Sequence, residues 1–566
     1  MLPRSRANSA TMSRRATFAL TLILCATSLL AQTPPARPDL VVVISIDQFP
    51  YDYITRFQSY FGADGFNRVM QHGANFTHSL YPYSVTYTGP GHAAIGTGNV
   101  PARTGIVANN WYDRTTGTVE YCVGDARAKG GFSPLNLASD SLGDRLQEHY
   151  DQSKVYGISL KDRAAILMAG RKANAAYWFD PALPGFVSSA YYRFDKPLVD
   201  AFNATLPPFV AAHTAWEQSS YIPADDLARI THDPEHLRKW KSDRNGLGVK
   251  FPHPIRNIDA LTYTPYGNQI VLQFAERLID AEGLGTEDGN PDLVFVSLSS
   301  PDYLGHAFGP ESLEAADTVV RTDRDLENFF HDLDAKFGNR WTFAITADHG
   351  VQSIPEVAKD MGRVAGRVDM RNPAKTAKTF ADLVPQRREL EKRIAKKLGV
   401  NVTDATPLAK AFIVYFDEPA FYLNWTRVRE RKLDGERVKR VVRDTVKEID
   451  GVSAAFTNSE LLMTNTDASP LEAAVRLSFR ADRSGDVLLT LKPGYIWNYT
   501  DPPTGTTHGQ PVEADQHVPL MLWGTGIRPG SFDDAVAPTF LARTLGHLLG
   551  VDAGGAETRL LPCVAQ

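Results

Sequence analysis

The sequence predicts an α/β fold: a mainly parallel central sheet flanked by helices, with inserted cap or subdomain elements. Three observations carry that prediction. The runs 40–46 (LVVVISI), 292–298 (DLVFVSL) and 341–347 (WTFAITA) are almost continuously apolar and rich in β-branched residues, the pattern of strands buried on both faces. Helical patterns alternate with these runs, and strand–helix–strand alternation favours parallel pairing. Each run also leads into an aspartate, Asp47, Asp302 or Asp348, and open α/β sheets gather ligands beyond the carboxyl ends of their strands.

Taken in order, residues 1–31 read as a secretory signal peptide. Arg4, Arg6, Arg14 and Arg15 precede an apolar run over 16–31 that is short for a membrane span. The expected location is therefore periplasmic or secreted, with no stable membrane insertion after cleavage. Residues 32–38 form a short polar linker, and 39–566 follow as one large domain with insertions near 185–264 and 351–500. A formal net charge of −5 over 566 residues argues against nucleic acid as the main partner. Beyond the leader only Cys122 and Cys563 remain. They are too few for a disulfide framework or a cysteine-based zinc site, and an oxidising compartment would let the two pair.

Within the large domain a further strand is expected over 154–159, running into Leu160-Lys161-Asp162-Arg163. Helical periodicity covers 137–150, 266–281, 312–336 and 537–549. The segment 387–450 is rich in Lys, Arg and Glu around a strand at 411–416, which reads as solvated helix faces beside a sheet.

The residues that carry chemistry are dispersed. Thr88 precedes Gly89-Pro90-Gly91 and a run, 92–95, that can start a helix. Its hydroxyl either caps that helix or meets an oxyanion at the helix N-terminus. Asp302-x-x-x-His306 spaces an acid and an imidazole so that both can reach one metal, Asp348-His349-Gly350 directly follows a buried strand, and His508 lies in Thr506-Thr507-His508-Gly509. Together with Asp47 these make three carboxylates and three imidazoles, an inventory suited to two ions of about four N/O ligands each. Lys161 and Arg163, two apart, either face one phosphate from an extended segment or are surface bases flanking an acid. His92 is expected to satisfy a local hydrogen bond, and His517 to pack or to orient a neighbour such as Asp515.

Asp47, Thr88, Asp302-x-x-x-His306, Asp348-His349-Gly350 and Thr507-His508-Gly509, in this order, resemble the alkaline phosphatase superfamily in its type I phosphodiesterase and nucleotide pyrophosphatase branch. Lys161-Asp162-Arg163 and the segment 105–113 (GIVANNWYD) resemble the secreted threonine-nucleophile bacterial phosphatases of the phosphate-irrepressible type. The resemblance implies an alkaline phosphatase-like catalytic domain over 39–566 with two Zn2+ ions as cofactors. Asp302, His306 and His508 would hold one ion; Asp47, Asp348, His349 and the Thr88 oxygen would hold the other. It further implies that Thr88 is the nucleophile, forming a covalent phosphothreonine. Lys161, Arg163 and Asn109 would grip the phosphate, with Asn110 as the alternative to Asn109. The expected reaction is hydrolysis of small phosphate monoesters. Two alternatives use the same residues: phosphodiester or nucleotide pyrophosphate hydrolysis, and capture of phosphorylated ligands by an inactive secreted protein. The sequence leaves open the physiological substrate, the pH optimum and the oligomeric state.

Overall fold

A computed structural model describes residues 37–128, 130–286, 289–555 and 558–564. The expected leader, residues 1–31, and the linker up to residue 36 lie outside the described residues. Strands β1 (Leu40–Ile46), β2 (Ala74–Phe76), β3 (Val155–Ser159), β4 (Ala175–Asp180), β5 (Gly185–Val187), β6 (Asp292–Leu298), β7 (Trp341–Thr346), β8 (Leu520–Gly524) and β9 (Gly530–Phe532) form one sheet. Its order is β9-β2-β8-β7-β1-β6-β3-β4-β5.

The five central strands, from β7 to β4, pair in parallel. β8 runs antiparallel between β7 and β2, and β5 closes the far edge antiparallel to β4. Every residue of β1, β6 and β7 is buried, as expected of strands covered by helices on both faces. The expected strand at 341–347 stops at Thr346, and Ala347 opens the turn to Asp348. Register then positions the site. Ser45 lies opposite both Ser297 and Thr346, so three strands end level and release their next residues at one edge of the sheet.

Helix boundaries follow their caps more closely than the apolar pattern. The helix expected from 137 begins at Leu142, because Ser141 and Asp144 form a capping box that fixes the first turn. Ser312 caps Leu313–Phe337 through the Ala315 N–H. The C-terminal helix occupies Leu541–Leu549, preceded by a 3-10 turn at Pro538–Phe540.

A second, antiparallel sheet is built from Ile413–Asp417, Ala420–Leu423, Val487–Leu491 and Val452–Thr457 in that spatial order. Helices Pro385–Lys397 and Gly435–Val446 contribute Leu390, Ile394, Val438 and Val442 to a core shared with Phe421, Leu489 and Trp497. Full burial of each such side chain is worth about 1.5–3 kcal/mol, so the charged outer faces of these helices are compatible with a firm attachment. The expected strand at 411–416 thus lies two residues later at its start, and its last residues run to the site.

Cys122 and Cys563 are both free thiols, and both are buried. Among the described residues no helix is long and apolar enough to cross a membrane.

Candidate metal and phosphate site

The carboxyl edge of the sheet gathers the dispersed acids and histidines. Asp47 follows β1 and donates its N–H to the Leu298 carbonyl at 3.0 Å, which ties it to the end of β6. After β6 the chain enters the helix Ser300–Phe308. Asp302 and His306 therefore share one helical face rather than a loop, with His306 Nε2 3.3 Å from Asp302 Oδ1. After β7 come Asp348 and His349, both fully buried.

Each of the three imidazoles is anchored in the same way. His306 Nδ1 meets the Thr506 carbonyl at 2.8 Å, His349 Nδ1 the Gly350 carbonyl at 3.0 Å and His508 Nδ1 the Thr86 carbonyl at 2.7 Å. A carbonyl can only accept, so each Nδ1 carries the hydrogen and each Nε2 presents a lone pair. Those lone pairs point at carboxylates: His508 Nε2 lies 3.6 Å from Asp302 Oδ1, and His349 Nε2 lies 3.1 Å from Asp348 Oδ2 and 3.6 Å from Asp47 Oδ1. The His349 and His508 rings stack at 3.5 Å between centroids.

Two groups of potential ligand atoms result, Asp47–Asp348–His349 and Asp302–His349–His508, with His349 common to both. His306 adjoins the second group through Asp302. Asp47 Oδ1, Asp348 Oδ2 and His349 Nε2 are buried and have no hydrogen-bond partner. Leaving buried polar atoms unpaired is costly unless something else binds them. The donor set fits divalent cations: hard and borderline N/O ligands, buried, with backbone carbonyls fixing the rings.

Electrostatics agree. Burial, with the Asp348 carboxyl adjacent, pushes Asp47 well above the usual carboxylate range, and burial pushes Asp348 up to about 6. Burial lowers His349 to about 4 and, with His349 alongside, holds His508 well below the usual imidazole value. Burial also acts to raise Asp302, but Lys161 and His306 outweigh it and hold that carboxyl well below its ordinary range.

Thr88 is the first residue of the helix Thr88–Thr97. The sequence allowed a start near His92; the helix starts earlier because Pro90 falls in the first turn, where its missing N–H costs nothing. His92 folds back on the Thr88 carbonyl at 2.9 Å and reaches Ser297 Oγ at 3.1 Å. Two glycines set this helix against its neighbours: a Cβ on Gly91 would lie 2.4 Å from the Asp348 carbonyl oxygen, and one on Gly96 2.5 Å from the Met168 carbonyl oxygen.

Lys161 caps the helix Asp162–Ala169, so Arg163 lies in that helix rather than in the extended segment the sequence suggested. Both side chains nevertheless line the Thr88 cavity. Lys161 Nζ sits 2.6 Å from Asp47 Oδ2 and 2.5 Å from Asp302 Oδ2. Arg163 Nη2 lies 3.5 Å from Thr88 Oγ1, while Nη1 donates to the Tyr121 hydroxyl at 3.3 Å. Asn109 Oδ1 accepts the Gly89 N–H at 2.8 Å, which directs this side chain at Thr88; Asn110 begins the strand Asn110–Asp113. His517 packs rather than orienting Asp515: its Nε2–H donates to the Thr77 carbonyl at 2.9 Å and its ring stacks on Tyr51.

Sequence reasoning missed Gln48. Its N–H donates to Asp348 Oδ1 at 3.1 Å and its side-chain amide to Asp302 Oδ1 at 2.8 Å. It also missed Tyr87, Glu418 and Tyr499, which line the same cavity of about 550 Å³. No local pattern could have found them, although Gln48 directly follows Asp47 in the chain.

The type I phosphodiesterase/nucleotide pyrophosphatase family model matches residues 41–511. The chain is 33% identical over 533 residues to alkaline phosphatase PhoV of Synechococcus elongatus, covering 91% of this chain and 90% of that protein. It is 31% identical over 531 residues to alkaline phosphatase PafA of Elizabethkingia meningoseptica, with coverages of 91% and 92%. A crystal structure of PafA superposes with a TM-score of 0.80 at 30% identity, covering 93% of this chain and 99% of that one. This chain belongs to the type I phosphodiesterase/nucleotide pyrophosphatase family, within its alkaline phosphatase-like members.

Proposed function

We propose that the protein is a phosphoric monoester hydrolase, an alkaline phosphatase that releases inorganic phosphate through a covalent phosphothreonine on Thr88. The observation that carries the reading is the joint geometry of the edge site. Three imidazoles present Nε2 lone pairs to Asp47, Asp302 and Asp348, and Thr88 lines the same cavity as Lys161 and Arg163. The similarity to curated alkaline phosphatases supports the same reaction class.

In this reading Asp302, His306 and His508 would hold one zinc ion, and Asp47, Asp348, His349 and Thr88 Oγ1 would hold the other. When bound, the ions would supply Lewis-acid charge that makes the threonine hydroxyl a competent nucleophile and eases departure of the ester oxygen.

The protein groups do the rest. The Thr88 hydroxyl proton passes to solvent as Oγ bonds to phosphorus and the bond to the ester oxygen breaks, and the departing alkoxide takes a proton from solvent. Water then attacks phosphorus and gives up one proton to solvent, the bond to Thr88 Oγ breaks, and Oγ takes a proton back to restore the hydroxyl. Lys161 has three donors and two face carboxylates, leaving one for a phosphate oxygen. The Asn109 amide keeps its NH2 free once its oxygen accepts Gly89. Arg163 contributes a planar pair of donors beside the nucleophile. A monoester dianion has the charge and the free oxygens to use all three groups, whereas a diester has fewer of both.

In this reading the catalytic domain spans 39–566 and works in the periplasm or outside the cell, a proposal supported by the leader read in the sequence. The test is a parallel assay with p-nitrophenyl phosphate and bis-p-nitrophenyl phosphate. Faster monoester turnover is expected, and faster diester turnover would overturn the reading.

A further inference from the structure

The acidic pair Asp417–Glu418 lines the cavity at the end of the strand Ile413–Asp417, contributed by the second sheet. Its position is fixed from both sides of the phosphate grip. The Tyr87 hydroxyl lies 3.4 Å from Glu418 Oε2, and Tyr87 directly precedes Thr88. The strand Asn110–Asp113 packs against Ile413–Asp417, and Asn110 directly follows Asn109. Tyr499 donates its hydroxyl to Glu418 from a third segment.

Neither carboxylate has an ion-pair partner among the described residues. The two further arginines that line the cavity, Arg371 and Arg244, do not supply one. Arg371 is forked onto Asp369 at 2.8 and 2.9 Å, and Arg244 is exposed beside Tyr263. Burial pushes both carboxyls up, Glu418 to about 7, and a second acid beside Asp417 adds to its rise. Tyr87, Tyr263, Tyr303, Phe416 and Tyr499 also line the cavity, among asparagines and threonines, and Tyr263 stacks on Tyr303 at 4.6 Å. Ionised together, the two acids would repel a phosphate dianion bound beside them, and an intervening cation would both relieve that repulsion and hold them in the charged form. Carboxylate oxygens and tyrosine faces together are suited to an ammonium group.

We propose that Asp417 and Glu418 form a leaving-group subsite for phosphate monoesters whose alcohol carries an ammonium, and that they disfavour esters whose alcohol carries a carboxylate. This rests on the monoesterase reading above. The phosphate would be held by Lys161, Arg163 and Asn109, and the amino group would bind at the tyrosine-lined acidic rim.

The experiment compares kcat/KM for O-phosphorylethanolamine and 2-phosphoglycolate in the native protein and in the isosteric variants Asp417→Asn and Glu418→Gln. A ratio taken within one preparation is unaffected by any loss of folded protein. The ratio is expected to favour phosphorylethanolamine in the native protein, and to fall about tenfold in each variant. A native ratio at or below one, or a ratio that moves less than about twofold in both variants, would overturn the proposal. Turnover of p-nitrophenyl phosphate, whose leaving group is neither ammonium nor carboxylate, scores the monoesterase reading separately.

Discussion

Gln48 offers the sharpest test of how the two ligand groups are held apart. Its φ is 58°, in the left-handed region that costs a non-glycine residue roughly 1–2 kcal/mol. That turn lets one residue serve two acids, the N–H holding Asp348 and the side-chain amide holding Asp302. Gln48→Met keeps the length and the backbone contact and removes only the donor to Asp302. A hydrogen bond to an ionised group is worth about 1.5–3 kcal/mol, and each 1.4 kcal/mol is tenfold, so the expected loss is roughly 10–100-fold in affinity for the ion that uses Asp302. Titrating metal-stripped protein with Zn2+ against a chromophoric chelator measures it, and circular dichroism checks that the fold is kept. Metal affinity equal to that of the native protein would show that Asp302 needs no such support and would refute the reasoning.

Thr88→Ala should abolish the phosphoenzyme seen by intact-mass analysis after acid quench, and should lower turnover by at least about 10³-fold; a phosphorylated variant would place the nucleophile elsewhere. Asp325 tests linkage far from the site. Burial lifts its carboxyl from 3.8 to about 7 despite the Gln269 hydrogen bond at 2.9 Å, and its Oδ2 has no partner. The folded protein therefore binds a proton that the unfolded chain releases, so this group's contribution to stability falls as pH rises from about 4 to 7. Asp325→Asn should stabilise the protein by about 1–2 kcal/mol above that window and little below it, read as the difference in Tm at pH 8 and pH 4; equal differences at both pH values would sink the assignment.

Much of the fold could be read because buried parallel strands leave a strong local mark. β1, β6 and β7 are continuous apolar runs, and the acids after them, Asp47 and Asp348 in turns and Asp302 in the first turn of a helix, sit where the register of the strands brings them together. The candidate ligands were legible for the same reason: Asp47 and Asp348 follow strands directly, and the spacing of Asp302 and His306 already matched one helical turn. What escaped was set by contacts between distant segments. The sharing of His349 between two ligand groups depends on how the 508 loop stacks against the end of β7. The carboxylate partners of Lys161 lie more than a hundred residues away in sequence from the lysine. Glu418 reaches Tyr87 and Tyr499 only because the second sheet closes over the edge of the first. Local sequence cannot encode such meetings. The helix start at Thr88 was missed for a smaller reason, since proline inside the first turn looks like a breaker until its position is known.

The contacts of Gly91 and Gly96 have a consequence for how the protein can change over time. The helix that begins at Thr88 rests directly on the Asp348 turn and on the helix that carries Arg163, main chain against main chain, with no side chain as a spacer. Mutational drift in the surrounding core can swap Leu for Ile or Val for Met without altering those two separations, because no rotamer defines them. The spacing of Thr88, Asp348 and Arg163 is thereby shielded from most sequence change. The rim supplied by the second sheet has no such shield, since its geometry runs through the long side chains of Glu418 and Tyr499. Divergence among related proteins should accumulate there, while the floor of the cavity around Thr88 stays as it is.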